Sequence, residues 1–188
     1  MATARRRTYQ LRVALSGAKP PIWRRFLVSP TVALSELHEA LQVVMGWENS
    51  HLHMFRKGER RYVVPSPFDD DFGTLGLDAR KIRLGQLLGK PKDWIAYLYD
   101  FGDSWRHRVT LQKILPYDPA VRLPVCIAGK RSCPPEDCGG LWGYYEMLEA
   151  LGAPGHERHE DMVDWIGSFD PDDFSIDDVN AQLRARWK

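Results

Sequence analysis

The sequence predicts an α+β domain: a mainly antiparallel sheet of about five or six strands, helices packed on one face, and a helical C-terminal part. Three observations predict it. Apolar and polar residues alternate with period two in the first part of the chain, as in Tyr9, Leu11, Val13 and Leu15. Apolar residues recur every three or four positions in the last third, as in Leu141, Tyr144, Tyr145, Leu148 and Leu151. The order is mostly strands first and mostly helices after, which disfavours an alternating parallel sheet.

Residues 1–7 read as a basic disordered arm, and residues 8–188 as one domain. The strand from Tyr9 to Leu15 is followed by a Pro20-Pro21 connection and a second strand, Ile22 to Val28, which suggests an opening antiparallel pair. Trp23 sits inside that apolar strand beside two arginines and is expected to be largely buried. Leu34, Leu37, Leu41 and Val44 mark one face of a helix that ends at Gly46, with Thr31 or Ser35 as N-cap. His51, His53 and Phe55 then fall on one side of a strand, with Arg60 to Val64 as its hairpin partner. Residues 65–80 read as a loop, and their Asp69-Asp70-Asp71 run lacks the full oxygen-ligand pattern of a calcium loop. Ile82 to Leu88 is a short helix. Strands flank Asp100-Phe101-Gly102-Asp103-Ser104 on both sides. Pro116 to Gly140 is irregular and rich in proline, and an irregular stretch of that length inside a domain tends to carry function. Helices follow at 141–151, around Met162 to Ile166, and after Ser175, where Asp178 completes a capping pattern.

The formal net charge of +1 conceals an asymmetry. Residues 1–63 carry 11 Lys/Arg against 4 Asp/Glu, whereas residues 116–188 carry 7 against 14. The basic end suits a polyanion, with Arg5, Arg6, Arg7, Arg24 and Arg25 as the candidate contacts. The opposite ends also suit one another within the fold. No apolar run approaches the ~20 residues that span a bilayer, and no apolar signal core follows the basic start, so a cytoplasmic location and no membrane partner are expected.

The hairpin at 100–104 is the strongest pointer to a site. A turn needs one or two residues that tolerate positive φ or bond the local backbone, not two carboxylates framed by aromatics and followed by His107. Glu136 and Asp137, in the Pro-Pro-Glu-Asp loop, likewise place charge where a turn alone does not need it. The two loops are expected to be neighbours, so that Asp100, Asp103, His107, Glu136 and Asp137 line one polar cleft, joined by His51 and His53. Imidazole and carboxylate together suit a metal-assisted hydrolase of phosphate esters. A zinc site is a further candidate: Cys133 and Cys138 have four residues between them, Cys126 lies nearby, and His107, His51 or His53 is the candidate distant ligand. An odd number of cysteines without an export signal argues against a disulfide framework. Asp100-Phe101-Gly102 matches one kinase motif, but the Gly-rich loop and the His-Arg-Asp segment are missing.

Three segments together resemble a known family. They are Pro21-Ile22-Trp23-Arg24-Arg25 through Leu37-His38 to Met45-Gly46-Trp47 and His51-Leu52-His53; Tyr99 to Asp103 with Trp105 and His107; and Cys133 to Gly140 with Gly143-Tyr144. The pattern is similar to the plasmid pRiA4b ORF-3-like family, which includes TnpR-type passengers of insertion elements. The resemblance implies one α+β domain linked to plasmids or mobile elements and supplies no catalytic residues. Neither a serine- nor a tyrosine-recombinase pattern is present. The leading expectation is therefore a non-recombinase accessory or interaction domain with nucleic acid or protein as partner, and the alternative is the metal-dependent hydrolase.

Overall fold

The computed structural model describes residues 6–65 and 76–187. Arg5 and the Asp69-Asp70-Asp71 run lie outside the described residues. Among the described residues eight strands form one sheet: β1 (Arg7–Leu15), β2 (Trp23–Val28), β3 (His53–Lys57), β4 (Arg60–Val63), β5 (Leu77–Asp78), β6 (Trp94–Tyr99), β7 (Trp105–Pro116) and β8 (Val125–Lys130). Their spatial order is β5-β4-β3-β6-β7-β1-β2-β8. All neighbours are antiparallel except β4 and β5. Among the same described residues five helices accompany the sheet: α1 (Leu34–Met45), α2 (Leu84–Leu87), α3 (Gly140–Gly152), α4 (His159–Ile166) and α5 (Ile176–Arg186). None is long and apolar enough to cross a membrane.

The sheet is larger than the five or six strands expected. The additions are β5 and β8, which lie in stretches that read as loop. Neither has a strand pattern of its own; each is a strand because an edge accepts it, β8 beside β2 and β5 beside β4. At the other end of expectation, Arg7 already begins β1, opposite Pro116.

Alternation places Tyr9, Leu11, Val13, Phe26, Tyr97, Val109 and Leu111 on one face, where they pack with Leu37, Leu41, Tyr144, Met147 and Leu183 of the helices. Glu36 accepts from the Ala33 N–H at 2.7 Å, so the start of α1 is fixed one turn in rather than by Thr31 or Ser35. Ser175 caps α5 through the Asp178 amide, as its spacing predicts.

Strand β2 corrects two expectations. Arg24, Phe26 and Val28 face the core, and Trp23, Arg25 and Leu27 face away. Trp23 is therefore only partly buried, lying beneath the guanidinium groups of Arg12 and Arg25 at 5.2 and 5.4 Å from its ring centre. Both faces of this strand carry apolar residues, so alternation alone did not choose between them. Trp23→Ala is accordingly expected to cost about 1–2 kcal/mol, the scale of two exposed cation–π contacts, rather than the ~3–5 kcal/mol of an aromatic lost from a core. A urea midpoint shifted as far as that of a core aromatic would contradict the outward placement. Arg24 is 2% exposed and donates to the Val44, Trp23 and Lys130 carbonyls at 2.8, 3.0 and 2.9 Å. It is a structural residue, unavailable to a polyanion.

Candidate functional site

Strands β6 and β7 carry the 100–104 hairpin at one end of the sheet. Its geometry is set by left-handed residues: Asp100 has φ 55° and Ser104 φ 58°. Asn49 (φ 62°) and Asp137 (φ 59°) adopt the same region beside it. Backbone strain of this kind concentrates at functional sites.

The hairpin and the Pro-Pro-Glu-Asp loop meet. The Gly139 N–H donates to Asp103 Oδ2 at 3.1 Å. Gly140, at φ +69°, lies so close that a Cβ there would stand 2.6 Å from the Asp103 carbonyl oxygen, and a Cβ on Gly143 would stand 1.8 Å from the Cys138 carbonyl oxygen. The Gly139-Gly140-x-x-Gly143 spacing thus lets the start of α3 close against the hairpin.

His51 lies between the two loops. Its Nε2 is 3.1 Å from Asp137 Oδ1, 3.8 Å from Asp100 Oδ2 and 3.8 Å from Glu136 Oε2. Two of these carboxylates have one oxygen fixed and the other turned to the imidazole. Asp100 Oδ1 accepts from the Gly102 amide at 2.8 Å. Glu136 Oε1 accepts from the Glu48 amide at 2.8 Å and from the Tyr99 hydroxyl at 2.7 Å. The Tyr99 oxygen in turn accepts from the Ser50 and His51 amides. Burial, then the bond to Glu136, pushes the Tyr99 hydroxyl well up, so it remains a donor at neutral pH. Among the described residues no Lys or Arg forms an ion pair with Asp100, Glu136 or Asp137. Three carboxylates therefore share one imidazole. A groove of about 450 Å³ opens beside them, lined by Trp47, Cys133, Pro134, Glu136, Asp137 and Trp165.

The remaining expected site residues lie elsewhere. His107 points into the core between Trp47 and Tyr97, with ring centres at 5.0 and 5.4 Å, and is 2% exposed. It is the third residue of β7, where the strand period turns it away from the hairpin. Burial lowers its pKa to about 3. His53 leaves the carboxylates and stacks on His38 at 3.4 Å, and burial followed by the neighbouring His38 lowers its pKa to about 3. Asp103 clamps the Gly139 amide and is not one of the carboxylates around His51. Cys126 is buried on β8, where its thiol faces the Arg25 and Ala128 carbonyls. Burial pushes the Cys138 thiol up to about 12 and the Cys133 thiol higher. Among the described residues, the one set of three ligand atoms within 4.8 Å of one another is His51, Asp100 and Asp137; no thiol and no nitrogen of His107 joins such a set.

The sequence reading missed His38 and its partners. His38 Nε2 is 2.6 Å from Asn49 Oδ1, and Nδ1 is 2.7 Å from the Tyr97 hydroxyl. Gln42 donates to that hydroxyl at 2.9 Å and accepts from the Asn49 amide at 2.9 Å. These partners assign the imidazole proton to Nε2. The signal was present: His38 and Gln42 share the apolar face of α1, four residues apart, with Leu34, Leu37 and Leu41. The network holds Asn49 and so the start of the segment that carries His51.

A family model described as plasmid pRiA4b ORF-3-like protein matches residues 7–178. The uncharacterized protein y4hQ of Sinorhizobium fredii (strain NBRC 101917 / NGR234) is 40% identical over 187 residues, covering 95% of this chain and 93% of the relative. The crystal structure of a protein of unknown function, MM3350 from Methanosarcina mazei Go1, is similar with a TM-score of 0.84 and 37% identity, over 93% of this chain and 98% of that one.

Proposed function

The chain belongs to the plasmid pRiA4b ORF-3-like family, and from that premise we propose that its cleft binds a divalent cation and uses it to hydrolyse phosphate esters. The observation that carries this reading is the convergence of Asp100, Glu136 and Asp137 on His51 Nε2 at 3.1–3.8 Å, without a Lys or Arg ion pair to any of the three among the described residues. Ligand atoms bound tetrahedrally to one ion at ~2.1 Å stand roughly 3.4 Å apart, so this spacing suits a shared ion. One imidazole with carboxylates favours zinc or manganese over an all-oxygen calcium site.

His51, Asp100 and Asp137 would be the ligands, and the ion would supply Lewis acidity and an activated water. Glu136, held by Tyr99 and the Glu48 amide, would serve as the base that takes up a proton from water. The groove beside it, with Trp165 on its wall, has room for the organic part of an ester.

Calorimetric titration of the full chain with Mn²⁺ or Zn²⁺ is expected to give one site, and bis(p-nitrophenyl) phosphate is expected to be hydrolysed only in its presence. Asp100→Asn keeps the oxygen that accepts from Gly102 and is expected to weaken the metal at least tenfold. Absence of metal affinity contradicts the reading; binding without hydrolysis rejects the hydrolase part alone.

A further inference from the structure

The face of the sheet turned away from the helices has an unusual composition. Strands β1 to β4 and β6 to β8 contain no Asp or Glu, whereas arginine recurs along them. Register brings the outward residues into rows. Trp23 lies opposite Ala14, Ala14 opposite Arg108, Arg108 opposite Ala96, and Ala96 opposite Arg56. The next row runs from Arg25 through Arg12 and Thr110 to Trp94. Arg108 lies over the Trp94 ring at 4.2 Å, and Trp94 is 43% exposed. Trp23 is framed by Arg12 and Arg25 in the same way.

We propose that this open face binds single-stranded nucleic acid, with the arginines on phosphates and Trp23 and Trp94 beneath the bases. Charge selects the class of partner, because the five neighbouring strands from β3 to β2 carry arginine and lysine and no carboxylate of their own; Glu59, in the turn after β3, pairs with Arg56 at the margin and leaves Arg12, Arg25 and Arg108 as the cations of the face. The tryptophans select among polyanions. A polyanion without bases gains nothing from an aromatic platform, whereas each unstacked base does. The sheet selects single strands over duplex: reading the major groove takes a protruding helix or ribbon, and the described residues place neither on this face. Ala14 and Ala96, on either side of Arg108, keep the surface low between the two tryptophans. The tryptophans stand on β2 and β6, three strand spacings or roughly 14 Å apart, so each has room for a base of its own. Of the arginines expected from sequence to meet a polyanion, Arg25 is on this face, whereas Arg24 points to the core. The surface is independent of the metal cleft: it uses none of that cleft's residues and needs no ion.

The test is fluorescence anisotropy of labelled dT20 and U20, a 20-base-pair duplex and heparin, each titrated with the full chain at 50 mM and 200 mM salt. Binding to the single strands is expected, weakening steeply with salt. Trp94→Ala, at a half-exposed position, is expected to weaken single-strand binding roughly 5- to 100-fold and to leave heparin binding unchanged. Arg108→Gln is expected to lower the salt slope by about 0.7, the share of one phosphate contact on a single strand. No single-strand binding at 50 mM salt overturns the proposal. So does a preference for duplex, binding confined to heparin, or a Trp94→Ala variant that binds dT20 and U20 as the parent does.

Discussion

Arg24→Ala is expected to destabilise the protein by about 3–5 kcal/mol, the scale of a core cavity combined with buried carbonyls left unpaired. Among the described residues Arg24 has no carboxylate partner. Its charge is met by three backbone carbonyls, of which Val44 belongs to the last turn of α1, where helix carbonyls have no intrahelical donor and the dipole favours a cation. The same side chain reaches Lys130 on β8, and Phe174 covers it at 4.1 Å from the ring centre. One residue therefore joins the end of α1 to β2 and β8. Gly129 leaves the space, since a Cβ there would stand 2.4 Å from Phe174 and 2.8 Å from Arg24. Arg24→Lys keeps a charge but not the fork that spans three acceptors, so it is expected to fall between the parent and alanine. Urea denaturation measures all three. An alanine variant with an unshifted midpoint would contradict the structural role.

Acidification from pH 7 to pH 5 is expected to cost about 4–6 kcal/mol of stability. Burial lowers His38 to about 4 and His53 and His107 to about 3. Each is neutral in the fold and takes a proton in the unfolded chain near pH 6.5. Between those values the unfolded state binds more protons, so stability is full above pH 6.5 and is lost as pH falls towards 3 to 4. At pH 5 each histidine accounts for about 2 kcal/mol, and the stacked pair His38 and His53 acts partly as one. Protonated His38 would present a second N–H to the Tyr97 oxygen, which is already donating to Nδ1 and accepting from Gln42. His107→Phe keeps the ring volume and removes one titrating group, so the dependence on pH should become shallower by one proton. Equal stability at pH 7 and pH 5 would contradict the buried neutral state.

Much of the fold was legible because its elements carry their own periodicity. The apolar stripe of α1, the Ser175 cap and the aromatic strands around residues 100–104 all sit where their spacing places them. Strands β5 and β8 were not legible, since their pairing comes from partners distant in sequence. For the candidate cleft, residue types pointed to the hairpin and the Glu136-Asp137 loop, but side-chain direction decided membership. His51 precedes β3 and turns between the loops, whereas His53 and His107 lie within strands whose period sends them inward. Arg24 was misread for a related reason: the Val44 carbonyl of α1 and the Lys130 carbonyl of β8, both contributed from elsewhere in the chain, explain why an arginine rather than Trp23 points to the core. The basic sheet face needed register, because Arg12, Arg108 and Arg56 become neighbours only when β1, β7, β6 and β3 align.

The most direct measurement of the central claim is anomalous diffraction from crystals of the protein soaked in Mn²⁺, with data collected to locate the metal and repeated on Asp100→Asn. A single strong peak within ~2.3 Å of His51 Nε2 and of oxygens from Asp100 and Asp137, lost in the variant, is the predicted result. A featureless cleft under saturating Mn²⁺ and Zn²⁺, with His51 still held between the carboxylates, would contradict it.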